Sequence, residues 1–315
     1  MLKKIQHTFT LPKTNCNERL DKALKKYLPL YSRSSIKNWI LNQYIKLNGI
    51  IIDKPKKKIS GGELITINAL SKERLDSKPQ NLPLNILYED EYILIVNKQN
   101  NFVMHPGANH FSGTLLNALL YKYPNIINVP RAGIVHRLDK NTTGLIIVAK
   151  TLKVQSKLIK MLQRREITRE YEGIIAGKPP ISGTINKPIS RHLTKRTKMM
   201  VNPQGKPAIT HYNVIEYFRN HSHIRIRLET GRTHQIRVHM AYIRHPLLGD
   251  PVYGKPFILF KETSNTLLKK SYIFNRQALH ATTLNFYHPI TNIQMKIDIP
   301  IPNDMNELIS IIKEI

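Results

Sequence analysis

Residues 131–150 read RAGIVHRLDKNTTGLIIVAK. There His136, Arg137, Asp139 and Lys140 bring an imidazole, a carboxylate and two cations together just ahead of the apolar run 145–149. A carboxylate held in a loop at the edge of a buried strand can act as nucleophile or base. It can equally close a turn by pairing with Arg137. Thr143-Gly144 at the start of the run points to a close backbone approach or a sharp bend. A second cluster, LETGRTHQIRVHMAYIRHP, carries Arg232, His234, Arg237, His239, Arg244 and His245. Gly231 reads as the end of a strand and Thr233 as the cap of a following helix. Helical spacing then sets His234 and Arg237 on one face, with Ile236, Met240 and Ile243 packing opposite. So much positive charge on one short element needs solvent or an anion, and a carboxylate or phosphates would serve. A third stretch, ITREYEGIIAG, has Tyr171 at the start of a strand; taken alone, that tyrosine reads as core.

Other chemistries lack their signatures. There is no GxxxxGK[ST] phosphate loop, no GxSxG nucleophile elbow and no HExxH pair. Cys16 is the only cysteine, which excludes an internal disulfide and any multi-cysteine zinc site. No metal site is expected.

The elements that must position these groups are set by length and patterning. The chain has 315 residues and is 41% hydrophobic, enough for one sizeable domain and a smaller one. No apolar run approaches the roughly 18 to 20 residues of a bilayer span. MLKKIQHTFTLPK has no apolar stretch behind its lysines and is not a secretory signal, so the expected location is cytoplasmic and no membrane partner is expected. Lys+Arg number 49 against 21 Asp+Glu, a net charge of +28. Such a field favours a polyanion, and neutralising phosphates drives sequence-independent nucleic-acid affinity. The abundance of Ile and Asn, as AT-biased coding would produce, offers a blander source for some of the lysines.

The charge is concentrated at the N-terminus, where residues 1–60 hold 14 Lys/Arg and 3 Asp/Glu. In ERLDKALKKYL, Leu20, Ala23, Leu24, Tyr27 and Leu28 recur at helical spacing, and SRSSIKNWILNQ carries a second stripe of Ile36, Trp39 and Ile40. IKLNGIIID reads as two short strands around an Asn48-Gly49 turn, and ELITINAL as a last strand, giving α-α-β-β. The polar stretch 71–82, SKERLDSKPQNL, reads as connecting chain. Beyond Pro83, β-rich runs at NILYED, YILIVNK, TGLIIVAK, YEGIIAG, HIRIRLET and MKIDIP alternate with helical patterns at TLLNALLYKY and VQSKLIKMLQRRE. Strands outnumber helices and several are joined by short turns, which predicts a mixed, mostly antiparallel sheet.

The order RLDKAL, SRSSIKNWI, IKLNG, DKPKKKISGGE, LITI resembles the alpha-L RNA-binding fold first named for ribosomal protein S-four. That resemblance implies that Arg33 and Lys37 face RNA. Further on, HRLDKNTTG, REYEG, GKPAITHYNV, TGRTHQIRVHM, HPLLGDPVYG and ALHA together resemble the RluA-type pseudouridine synthases, in order across residues 83–302. One departure is Gln99, which follows Asn97-Lys98 where the family usually has proline. The expected fold is therefore α+β: a small α/β S-four-like RNA-binding module over 17–76, a linker over 77–82 and a large pseudouridine synthase catalytic domain over 83–315.

The resemblance implies an isomerase that turns uridine in RNA into pseudouridine. The bond from ribose to the ring nitrogen breaks, the uracil turns, and a carbon–carbon bond forms. Nothing is oxidised and no group leaves, so no cofactor is implied. By motif, Asp139 is the essential carboxylate, Tyr171 stacks on the uracil and Arg237 pairs with Asp139. Arg137 fills the space left by the flipped base, with His136 beside it. Arg232 and His234 touch phosphate or base, and Arg191, Lys195 and Arg196 belong to a basic loop over the substrate. VPRAGIVHRLDK, LQRREITREYE, PISRHLTKRT and RQALHAT resemble most the branch acting on large-subunit ribosomal RNA, which makes that RNA or its precursor particles the expected partner and a monomer the expected state. The rival readings are the same chemistry on another RNA, such as a different ribosomal site or transfer RNA, and a non-catalytic RNA-binding assembly factor.

Overall fold

The computed structural model describes residues 2–28, 31, 33–72, 78–107, 111–195, 197–255, 257–261 and 270–314. The chain divides into two compact units, Met1–Ser77 and Lys78–Ile315.

The first unit runs β1 (Leu2–Thr10), α1 (Leu20–Tyr27), α2 (Arg33–Leu41), β2 (Ile45–Leu47), β3 (Ile50–Ile51) and β4 (Leu64–Lys72), with antiparallel sheet order β1-β4-β2-β3. The apolar stripes of both helices meet the sheet: Leu20, Leu24, Ile36, Ile40, Ile45, Ile65 and Ile67 are all fully buried. Asn48 and Gly49 both have positive φ, +47° and +82°, as the tight primed turn between β2 and β3 requires. The expected α-α-β-β order omits β1. Its inward positions are Ile5, His7 and Phe9, and the polar His7, which bonds Tyr31 Oη at 3.2 Å, interrupts the apolar alternation that would have marked a strand.

The second unit is built on one sheet. In chain order its elements are β5 (Asn85–Glu89), β6 (Ile93–Lys98), α3 (Leu115–Lys122), β7 (Thr143–Ala149), α4 (Leu152–Gln163), β8 (Thr168–Ala176), β9 (Ser182–Asn186), β10 (Ile189–Arg191), β11 (Met199–Val201), β12 (Ile209–Tyr217), β13 (His221–Leu228), α5 (Gln235–Tyr242), β14 (Phe257–Lys261), β15 (Lys270–Phe274), β16 (Leu279–Tyr287), β17 (Gln294–Asp298) and α6 (Asn303–Lys313). The sheet order is β5-β6-β7-β16-β8-β13-β12-β9, with β17 on β16. Among the described strand pairs only β7 and β16 run parallel, as the mixed, mostly antiparallel expectation requires. β10 and β11 form a separate hairpin, as do β14 and β15. Residues 78–80 belong to this unit: Asn117 Nδ2 donates to Lys78 O at 2.9 Å and Gln80 N–H to Asn117 O at 3.1 Å. Among the described residues no helix is long and apolar enough to cross a membrane.

Six of the strands coincide with the apolar runs read from sequence. The central β16 does not, because its buried positions include His280 and Thr282 and so make no apolar run. β7 is buried along its whole length and leans on β16 at Gly144. There φ is +109°, and a Cβ would come within 2.2 Å of Ala281 O. That is the close approach Thr143-Gly144 implied. The loop that precedes it is thereby delivered to the middle of the sheet.

Candidate active site

Asp139 lies in the loop entering β7. Between Ile134, which bridges Val148, and the start of β7 the loop lies outside the sheet ladder, so side chains and neighbouring backbone groups satisfy its polar atoms. Lys98, at the end of β6, is fully buried and donates from Nζ to Gln99 O, Phe102 O and Lys140 O at 2.8–2.9 Å. Burial brings its pKa down to about 7, against the pull of Asp139 in the other direction. Three carbonyl acceptors call for three N–H donors, which only the ammonium supplies. Gln99 takes part through its carbonyl, which a proline would also offer. Gln277 Nε2 donates to Thr142 Oγ1 at 2.9 Å, and Asp139 O accepts from Thr142 N–H at 3.1 Å.

The side chain of Asp139 faces α5. Arg237 Nη1 donates to Asp139 Oδ2 at 2.9 Å. The rest of that guanidinium is spent on Asp250, with Nε to Oδ2 at 2.7 Å and Nη2 to Oδ1 at 2.8 Å. Asp250 is fully buried and also accepts from the backbone N–H groups of Val252 and Tyr253. Burial pushes the Asp250 carboxyl up, but Arg237 and these backbone donors hold it below its ordinary value. Burial likewise opposes the charge on Arg237, and Asp250 and Asp139 more than offset it, leaving the guanidinium above its ordinary value. One planar fork thus fixes Asp139 to a buried anchor, which a lysine's point charge does less well.

His234 completes this wall. Its Nε2 is 3.8 Å from Asp139 Oδ1, and its Nδ1 is 2.8 Å from Tyr253 Oη. Tyr253 also lies beside the guanidinium, with Arg237 Cζ 5.1 Å from its ring centroid. Burial lowers the His234 pKa; Asp139 pulls it up, while Arg237 and Arg137 push it further down. The helix expectation needs one correction. Thr233 does not cap α5. The cap position is His234, at φ +56° and with no side-chain cap bond, and Gln235 Oε1 accepts from Arg232 N–H and from Thr230 Oγ1 instead. A non-glycine residue at that φ is uncommon and persists where its surroundings hold it; here it aims the imidazole at Asp139.

Tyr171 is buried on β8 within the main core. Burial raises its pKa, with Arg169 pulling it down and Asp139 adding to the rise. Arg137, two positions before Asp139, is exposed. His136 is half-buried: its Nε2 accepts from Ile147 N–H at 3.0 Å, and burial with the nearby Arg169 brings its pKa down to about 3. Of the other basic residues on and after α5, His239 is spent on Thr210 Oγ1 and Lys187 O, and His245 on Ala176 O.

Arg191, Lys195 and Arg232 are exposed. Arg191 and Arg232 line a cleft of about 440 Å³ together with Ile189, Met199 and Lys206, and Arg232 Nε is held by Pro207 O at 3.0 Å. Arg196 lies outside the described residues. In the N-terminal unit Lys37 is exposed, and Arg33 is clamped to Asp21 by Nε and Nη2 at 3.0 and 2.7 Å. Sequence reasoning missed Lys98, Gln277, Asp250 and Tyr253. The last two sit in HPLLGDPVYG, a motif that carried the resemblance with no role attached to its residues.

Comparison with known proteins gives this geometry its context. Residues 92–242 match the family described as RNA pseudouridylate synthase, and residues 18–65 match the S4 domain. Ribosomal large subunit pseudouridine synthase D of Escherichia coli (strain K12) is 55% identical over 313 residues, covering 99% of this chain and 96% of that one. The chain belongs to the RNA pseudouridylate synthase family. The protein of the same name from Vibrio cholerae is 49% identical over 314 residues, 100% of this chain and 97% of that one. Among solved structures, Human RNA Pseudouridylate Synthase Domain Containing 4 has a TM-score of 0.53 at 19% identity over 72% of this chain and 92% of that one. Human RNA Pseudouridylate Synthase Domain Containing 1 has 0.52 at 23%, over 75% and 97%; these two share the fold. The chain is thus a pseudouridine synthase with an S4 domain on its N-terminal side.

Proposed function

We propose that the protein isomerises specific uridines of large-subunit ribosomal RNA to pseudouridine, with Asp139 as the essential carboxylate, in support of large-subunit assembly. The observation that carries this reading is the Asp139–Arg237–Asp250 chain of charge-assisted bonds. It supplies one oriented carboxylate, Asp139, at the rim; the second, Asp250, is fully buried and spent on Arg237 and the backbone N–H groups of Val252 and Tyr253, not open to activate water. A hydrolase normally needs that second group; an isomerase does not. The target uridine leaves its helix at a cost of about a few kcal/mol, Arg137 fills the space it vacates and Tyr171 stacks on the uracil. The base loses a proton from carbon five and gains one on the ring nitrogen that was bonded to ribose, so no external reactant or cofactor enters. The 49% and 55% relatives, both named for the large ribosomal subunit, support the RNA class, and the S4 domain supports RNA binding. The same reading has the protein acting as a cytoplasmic monomer.

The test is to map pseudouridines across all stable RNAs in a strain lacking the gene, complemented with wild type or with Asp139→Asn. Loss of large-subunit sites, restored by wild type alone, is expected. Purified Asp139→Asn should bind the RNA yet release no tritium from carbon-five-labelled uridine. Isomerisation by that variant above about one percent of wild type would overturn the role of the carboxylate, and lost sites confined to transfer RNA would overturn the substrate.

A further inference from the structure

The hairpin β10–β11 is joined to the Asp139 wall through one phenol. Met199 N–H, at the start of β11, donates to Tyr253 Oη at 2.7 Å. His234 Nδ1 lies 2.8 Å from the same oxygen. The turn that carries Tyr253 is fixed on both sides: Asp250 Oδ1 accepts from Tyr253 N–H at 3.1 Å, and Lys198 Nζ donates to Val252 O at 2.8 Å. A phenol has one proton. Since its oxygen already accepts from Met199, the O–H is free to donate to His234 Nδ1. That leaves Nδ1 without a proton and puts the imidazole N–H on Nε2, the atom 3.8 Å from Asp139 Oδ1. Were the hairpin to draw Met199 away, the phenol oxygen would be open to accept from Nδ1–H. The other tautomer would then turn a lone pair toward the carboxylate.

We propose that Tyr253 is a positioning residue that couples the hairpin β10–β11 to Asp139 by fixing the tautomer of His234. The proposal rests on the isomerase reading above and adds to it that substrate RNA bears on the cleft lined by Arg191, Met199, Lys206 and Arg232. Met199 is a wall of that cleft and the donor to Tyr253, so a nucleotide seated there acts on the strand that sets the phenol. The charged groups acting on His234 are Asp139, Arg237, Arg137 and Asp250. Among the described residues Tyr253 is the one that hydrogen-bonds Nδ1, and this bond distinguishes the tautomers.

The test uses the full chain and two readouts. Nitrogen-15 NMR of histidine-labelled protein without RNA should show His234 as the Nε2–H tautomer, and Tyr253→Phe, which keeps the ring beside Arg237, should shift the population toward Nδ1–H. With target RNA under single-turnover conditions, Tyr253→Phe should react about 10- to 100-fold more slowly with affinity unchanged within about twofold. Its acid limb should move to higher pH, because an Nδ1 freed of the phenol protonates more readily opposite Asp139. His234→Gln, whose amide N–H can stand in for Nε2–H, should retain more rate than His234→Ala. An unaltered tautomer in Tyr253→Phe, an unchanged rate, or a slower rate with an unmoved pH profile would each overturn the coupling. Failure of the isomerase reading looks different: wild type would then be inactive on the RNA while the tautomer shift stayed visible.

Discussion

Each of the two units buries an arginine–carboxylate cluster, and the two are built inside out with respect to each other. In the N-terminal unit the acid is at the centre. Asp21 is 3% exposed and takes both Arg19 and Arg33, whose side chains are 37% and 48% exposed. Burial pushes Asp21 up, and the two arginines, Arg33 foremost, hold it below its ordinary value. In the catalytic unit the arginine is at the centre. Arg237 is 6% exposed and takes Asp250 at 0% and Asp139 at 14%. The bonds are alike; what differs is the sign left facing outward. A buried acid orders two cations at a surface, which suits a polyanion. A buried cation holds an acid at a rim, which suits chemistry on a bound base.

The largest expected effect comes from removing the central cation. Arg237→Met leaves Asp139 without its orienting fork and Asp250 buried without a counter-charge. Losing an electrostatic group of this kind costs about 100- to 1,000-fold in rate, and stranding a buried charge costs about 3 to 5 kcal/mol of stability. Single-turnover rate should collapse while RNA affinity changes little. Arg237→Lys should be nearly as slow, since one ammonium cannot span both acids. The contrast is Arg232→Met in the cleft, which should weaken binding more than turnover. Severe loss of binding with a wild-type saturated rate in Arg237→Met would make that arginine a phosphate contact and end the comparison. Next in size is Asp250→Asn, expected to slow the reaction about 10- to 100-fold, since the amide offers Arg237 one acceptor oxygen in place of two and no counter-charge. A wild-type rate in that variant would mean that Asp139 needs no buried anchor.

How much of this was legible in the sequence follows from what each residue's neighbours reveal. Asp139 and Arg237 stand in long motifs among other ionisable groups, and Gly144 marks the backbone approach that delivers the loop. Asp250 stands in LLGDPVYG, where an aspartate between glycine and proline reads as turn chemistry; only the return of the chain after α5 brings it against Arg237. Lys98 ends an apolar strand, a place where lysine is normally solvated, and three carbonyls from two loops decide otherwise. His234 shows the limit of helical spacing. Its side chain does share a wall with Arg237, but from a left-handed cap position that periodicity has no means to indicate. β1 and β16 were hidden for a related reason, since inward-facing His7 and His280 break the apolar pattern while being paired by Tyr31 and Thr143.

Acid should separate the two units. Burial depresses His105 to about 4, His136 to about 3 and His280 to about 4, all in the catalytic unit. A histidine whose folded pKa lies below its unfolded value, 6.5 here, binds fewer protons folded than unfolded between the two. Its stabilisation is complete above that unfolded value and is lost as pH falls toward the folded one. Asp21, by the same rule, costs the N-terminal unit stability only below its unfolded value of 3.8. Trp39 is the single tryptophan and lies in the N-terminal core, so its fluorescence follows that unit while far-UV circular dichroism mostly follows the larger one. In urea titrations from pH 7 to pH 4.5 the dichroism midpoint should drop more than the fluorescence midpoint. His136→Gln should reduce that drop. Midpoints that fall together would mean that the units share their acid sensitivity.

The smallest expected effect tests the outward arginines. Arg33→Ala leaves Asp21 with both of its bonds to Arg19, at 3.0 and 3.1 Å, so the N-terminal core should persist and Trp39 should report a near-normal midpoint. What disappears is one ordered, half-exposed guanidinium. If it meets a phosphate, affinity for the target RNA should fall by roughly fivefold, the equivalent of about 1 kcal/mol. The slope of log affinity against log salt should shrink by about 0.7 to 0.9, the share of one phosphate contact. Lys37→Ala should behave alike, with no stability change at all, because no acid depends on it among the described residues. The saturated rate should stay at the wild-type level for both variants. Should Arg33→Ala instead lower the Trp39 midpoint and leave affinity and salt slope untouched, the arginine serves Asp21 rather than RNA. The N-terminal cluster would then be a structural pair whose outward face has no partner to meet.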